Sequence, residues 1–141
     1  MLSEYGEDYY ANLMVGNATP VVDWFLALLV EIPYPTVEGS VLLSDFEVQD
    51  DAYARQYVMN TDFSYSSGGI VSTNIPFYWP AAVTDWEPVV GFAILDDPEE
   101  GNIYVFGEFP DHMVVEEGQQ LYIPAGMINI GISTTEAGDD D

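Results

Sequence analysis

With 25 Asp and Glu against a single Lys-or-Arg residue, Arg55, these 141 residues carry a formal charge of −24, yet 48% are hydrophobic and 14% aromatic. That much apolar and aromatic material excludes a disordered acidic tail. The near absence of cations excludes nucleic-acid binding through phosphate neutralisation and docking on anionic membranes, and the absence of Cys excludes disulfides, thiolate zinc sites and thiol nucleophiles.

A surface of one sign repels itself unless salt screens it, and the Debye length falls from about 30 Å at 0.01 M to about 3 Å at 1 M. The composition therefore points to a protein that works in molar salt with its counterions around it. The alternative is an acidic protein that binds a basic partner or metal ions.

The length predicts one main domain. Residues 2–14 read as a short helix, because Leu2, Tyr5, Tyr9 and Leu13 recur at helical spacing, Ser3 suits an N-cap, and Glu4, Glu7 and Asp8 suit the positive end of the dipole. Val21 to Ile32, bracketed by Pro20 and Pro33, reads as a central buried strand. Residues 32–44 form a Pro- and Gly-bearing loop. Strands are then expected at 52–60, 63–65, 70–78, 88–95, 102–109, 112–115, 120–123 and 127–133, with turns at Ser66–Gly69, Asp96–Gly101 and Pro124-Ala125-Gly126. Many short strands with punctual turns predict a mainly β fold, an antiparallel sandwich or jelly-roll-like domain with a short N-terminal helix. The organisation expected is a helical arm over 1–16, a β-domain over 17–134 and an acidic tail over 135–141. No run is apolar enough for a bilayer span, and residues 1–5 lack the basic region and apolar core of a secretory signal.

Single residues sharpen this. Arg55 either grips a carboxylate across a subunit interface or closes an ion pair inside the domain. His112 has no Cys or second His to complete a metal site, and reads as a surface residue. The acid clusters at Asp50-Asp51, Asp96 to Glu100 and Glu116-Glu117 lack the spacing of a calcium loop and read as solvated charge. Among so many acids, a pair at glycosidase spacing means little. No nucleophile elbow, phosphate loop or His-Glu-x-x-His is present, so neither an enzyme nor a cofactor is expected. Trp24, Trp79 and Trp86, with Phe77 and Tyr78, can form core, a sugar-stacking platform or an interface. Tyr78 and Trp79 should face opposite ways on a regular strand. Asn17-Ala18-Thr19 is a glycosylation sequon.

The order of short motifs resembles a family of tailed-virus structural proteins described as tail-fibre or head-decoration proteins. The resemblance runs from Glu4-Tyr5 to Ser133. It passes through Tyr53-Ala54-Arg55-Gln56, Asn74-Ile75-Pro76-Phe77, Pro80 to Trp86, Val89 to Asp96, Gly101-Asn102, Gly107, and Val115 with Gly118, Leu121, Ile123 and Gly126. It implies a small β-rich virion protein that is not an enzyme. With the charge, it suggests the virus of a halophilic archaeal host. The expectation is a head-decoration or cement protein on the virion head surface. Its partners would be the major capsid protein and copies of itself, most naturally a trimer, with Arg55, Tyr5, Tyr9, Leu13 and Trp79 as interface candidates. The alternative is a tail-fibre module that binds host glycans.

Overall fold

Leu2 is not part of the helix. In the computed structural model, which describes residues 2–17, 20–21, 23–32, 46–65, 70–99 and 103–131, the helix α1 spans Glu4–Met14 and Ser3 is its N-cap. The Ser3 hydroxyl accepts from Gly6 N at 2.9 Å and donates to the Ile103 carbonyl, while Ser3 N donates to Tyr104 O at 3.0 Å. Leu2 is extended and bridges Val105 in antiparallel fashion. The helix thus starts where the chain leaves the edge of a sheet. Gly6 permits the contact: a Cβ there would lie 2.2 Å from Tyr104 O, so a side chain would push helix and strand apart.

Among the described residues nine strands follow: β1 Asp23–Leu29, β2 Gln56–Met59, β3 Phe63–Tyr65, β4 Ile70–Thr73, β5 Phe77–Tyr78, β6 Val89–Leu95, β7 Ile103–Met113, β8 Tyr122–Ile123 and β9 Asn129–Gly131. They make a four-stranded sheet ordered β2-β1-β6-β7, a three-stranded sheet β3-β4-β9 and a β5-β8 pair, with every pairing antiparallel. The fold is mainly β with one short N-terminal helix, as the strand and turn pattern predicts.

β1 is central, and Leu26 to Leu29 are fully buried because the sheet is covered on both faces. One face carries Leu26, Leu28, Phe92 and Ile94 into the main core. The other carries Ala27, Leu29, Ala93, Leu95, Ile103 and Phe106 into a second cluster, with Ile32 and Phe46 against it. Burial on both faces explains why β1 and β6 read as continuous apolar runs rather than alternations. On the main-core side, Trp24, Ile94 and Val105 meet Phe63, Val71 and Ile130 of the three-stranded sheet. Together with Tyr10 of α1 they line a partly open apolar pocket of about 130 Å³.

Several expected strands differ, and β1 itself is Asp23–Leu29 within the expected 21–32. The strand expected over 52–60 shrinks to Gln56–Met59, because Asp50 accepts from Ala52 N at 2.9 Å and turns the chain there. The strand expected over 70–78 breaks between Thr73 and Phe77, where Asn74 N bonds Asp62 O at 2.8 Å and Pro76 has no N–H to give. His112 and Met113 belong to β7 rather than to a separate strand. The register jumps from Gly91↔Glu108 to Val89↔Met113, so β7 bulges and turns Phe109 inward against Phe92. The strands expected over 120–123 and 127–133 are the shorter β8 and β9. The 32–44 loop beyond Ile32, the Ser66–Gly69 turn, the sequon beyond Asn17 and the acidic tail lie outside the described residues.

Candidate functional site

Arg55 is paired within the chain. Its Nε and Nη2 reach Glu47 Oε2 and Oε1 at 3.0 and 3.1 Å, a two-pronged pair, and Nη1 donates to Asp97 O at 2.9 Å. The two side chains are only 4% and 10% exposed. The Tyr53 hydroxyl donates to the same carboxylate and accepts from Leu28 N at 3.0 Å. Burial, then the neighbouring Glu47 charge and hydrogen bond, hold that hydroxyl well above the usual tyrosine range. The cluster ties residues 46–55 and the β6–β7 turn to β1, and it flanks an open polar groove of about 380 Å³. The only Lys or Arg of the chain is therefore inside the fold.

The other candidates divide. Tyr5 and Tyr9 meet the ring of Tyr104 edge-on at 5.0 and 4.9 Å, and Trp24 does the same at 5.0 Å. Tyr104 reaches this box because it is the extra residue between Ile94↔Val105 and Leu95↔Ile103, a bulge that sends it into the main core. Leu13 sits part-exposed on the last turn of the helix, ahead of the strongly exposed Met14 and Val15. His112 is exposed. Trp79 has 0% exposure, and its Nε1 donates to Ala54 O at 2.9 Å, so it presents no surface to a partner. Trp24, Trp86 and Phe77 are also buried, and of the aromatic set only Tyr78 stands out, opposite in face to Trp79.

Asp50 departs from the solvated-charge reading. One oxygen accepts from Ala52 N and Val83 N at 2.9 and 3.1 Å, and the other from Thr84 N and the Thr84 hydroxyl, both at 2.9 Å. Desolvation raises its pKa, but these donors outweigh it and hold the carboxyl well below the usual range. Asp50 fixes the Ala82–Thr84 turn to the segment carrying Arg55. Asp85 does the same nearby, accepting from Glu117 N at 2.7 Å.

These anchors hold one long ribbon. Residues 70–86 run antiparallel to 115–131, pairing as β4 with β9, then as β5 with β8. The ladder continues through Trp79 N to Leu121 O at 3.1 Å, Ala82 N to Gln119 O at 2.8 Å and Trp86 N to Val115 O at 2.9 Å. Gly126, at φ +84°, makes the kink where β8 passes into β9, and its N–H returns to Thr73 O at 2.8 Å. Phe77, Trp79, Ala82, Trp86, Val115 and Ile123 point inward and are buried. Tyr78 and Tyr122, directly paired across the strands, point outward at 57% and 48% exposure with ring centroids 4.8 Å apart. Further along, the outer face is small and polar. Ser72 Oγ meets Asn129 Oδ1 at 2.5 Å and Asn74 Nδ2 meets Ser64 Oγ at 2.8 Å.

The sequence carries a signal for this surface that a whole-chain average hides. Residues 63–84 and 118–135 contain no charged residue, although 25 acids are spread over the rest. The fold brings these two stretches together: β3, β4, β5, β8 and β9 all come from them. The result is an uncharged, tyrosine-bearing face on a strongly anionic protein. Such a face can bind by stacking and hydrogen bonding. Among the described residues there is no cluster of three or more His, Asp or Glu able to hold a metal, and no helix long and apolar enough to cross a membrane.

Compared with known protein families, residues 1–131 match the family described as podophage GP4 fiber I protein gp80. The chain belongs to that family. A search of curated proteins finds no match. Membership makes this a phage virion protein, and the matched span takes in the helix, both sheets and the whole ribbon.

Proposed function

We propose that the protein is a non-enzymatic fibre-type subunit of the virion, built to bind rather than to catalyse and adapted to concentrated salt. The family match over residues 1–131 carries this reading, since the family is described by its fibre. Two features of the molecule support it. Over residues 70–84 and 118–131 the ribbon offers a binding face free of charged residues, and the Lys/Arg complement is spent on an internal pair, which leaves an anionic exterior suited to molar salt and the virus of a salt-loving host. Met14, 89% exposed at the end of the helix, is the natural contact to the rest of the particle, the major capsid protein included.

Head decoration, the role expected first from the resemblance, differs from a fibre in stoichiometry. Quantitative mass spectrometry of purified virions should find far fewer copies than of the major capsid protein, with labelled antibody at the projecting fibres. Copies comparable to the capsid protein, spread over the head, would make it a decoration protein instead.

A further inference from the structure

We propose that the uncharged ribbon face is the surface on which copies of this chain pack against one another. The argument rests on where the charge lies, and is independent of which part of the particle the protein occupies. At −24 per chain, two copies repel wherever carboxylates meet, and like-charge juxtaposition across an interface costs several kcal/mol. With Arg55 enclosed by Glu47, no exposed Lys or Arg is available to answer a carboxylate of another copy. Self-association therefore needs a face without acids, and the fold assembles one from residues 63–65, 70–84 and 118–131. The other uncharged and exposed stretch, Ala11 to Asn17 with Met14 and Val15 standing out furthest, is the end of one helix rather than a paired sheet face.

The chemistry of the face fits the occupant. Tyrosine is enriched at protein interfaces because it brings apolar area and a hydroxyl on a stiff side chain. Tyr78 and Tyr122 present a preformed pair of rings in contact, tilted by 39°, and Ser64, Ser72, Asn74 and Asn129 add short polar groups that pack closely without desolvating a charge. Molar salt weakens a charge-based contact and leaves an apolar one intact.

The test is the mass of the purified full chain in about 1 M salt, where the Debye length is about 3 Å, by light scattering after size exclusion. The wild type should show a multiple of 15.6 kDa. Tyr122→Asp and Ser72→Asp should each reduce it to the single-chain mass with the β circular-dichroism spectrum and a cooperative unfolding transition kept, whereas Met14→Asp, an added charge outside the face, should keep the wild-type mass. If a variant fails to fold, hydrogen exchange on the wild type decides: peptides spanning 77–79 and 121–123 should gain protection as the concentration is raised. A wild type that stays single, folded variants that keep the oligomer, or no gain in protection overturns the proposal. A chain that stays single but binds a neutral polysaccharide through Tyr78 and Tyr122 also overturns it, and gives the face to a glycan.

Discussion

Arg55 has a reason to exist in a chain that otherwise does without Lys and Arg. Glu47 lies opposite Leu29 on the segment that pairs antiparallel with the end of β1, with Val30 N bonded to Phe46 O at 2.7 Å and Val48 N to Leu28 O at 3.2 Å. A carboxylate buried there needs a partner, and a guanidinium supplies two parallel hydrogen bonds to it while spending a third on Asp97 O. A buried charge left alone costs far more than an exposed pair is worth, typically about 3–5 kcal/mol when one partner is removed. Arg55→Met should therefore destabilise the domain by about that amount, read by denaturant unfolding in molar salt. Glu47→Leu combined with Arg55→Met should recover most of the loss, because no charge is then stranded. The cost of Arg55→Met should change little with added salt, since burial shields the pair from screening. An exposed interface arginine would show the opposite pattern: little loss in the single chain and a steep dependence on salt.

The same scale of detail sets what an element can do. α1 reads from its sequence as an arm, since its period and N-cap are local features and nothing local shows what lies beneath it. What lies beneath is β7. Leu2 bridges Val105, Ser3 bonds the Ile103 and Tyr104 carbonyls, Gly6 lets the helix approach the strand, and Tyr9 closes on Tyr104 while its hydroxyl accepts from Val21 N at 2.8 Å. Removing residues 2–16 should thus expose Val105 and the Tyr104 box and lower the thermal midpoint. On the usual scale for a domain of this size, the loss is about 2–6 °C for each kcal/mol. A deletion that leaves the midpoint unchanged would show that the helix contributes nothing to the domain. The strands divide on the same principle. β3 and β6 were legible to within a residue, and β1 was legible as a buried strand although it spans only Asp23–Leu29 of the expected 21–32. The break of the expected 70–78 strand, the bulges of β7 and three of the four hydrogen bonds to Asp50 depend on neighbours distant in sequence, such as Asp62, Gly91 and Thr84. The ribbon face lay in plain view as two charge-free runs, but only their pairing in space makes them one surface.

For the molecule as a whole, two opposed forces decide stability. The core favours the compact state at any ionic strength, while the carboxylates oppose it in proportion to how far their fields reach. At about 0.01 M salt the Debye length of about 30 Å spans the domain, so nearly every acid meets every other. At about 1 M it is about 3 Å, and only adjacent pairs still interact. The uncharged stretches localise this repulsion, because all 25 acids lie in the rest of the sequence. The thermal midpoint should therefore rise steeply from dilute buffer to molar KCl or NaCl and keep rising where an ordinary mixed-charge surface has levelled off. Lowering the pH in dilute buffer should at first mimic salt, because protonating ordinary carboxylates removes repulsion. Asp50 resists that benefit. Its folded-state pKa is depressed, so its contribution is fully present above the unfolded value of about 4 and is lost as the pH falls through the folded value. A midpoint that rises on mild acidification in dilute buffer, but not in molar salt, would separate screening of the surface from the fixed hydrogen bonds of the Asp50 turn. A midpoint indifferent to salt at neutral pH would sink the halophilic reading altogether, and the anionic surface would then call for a basic partner instead.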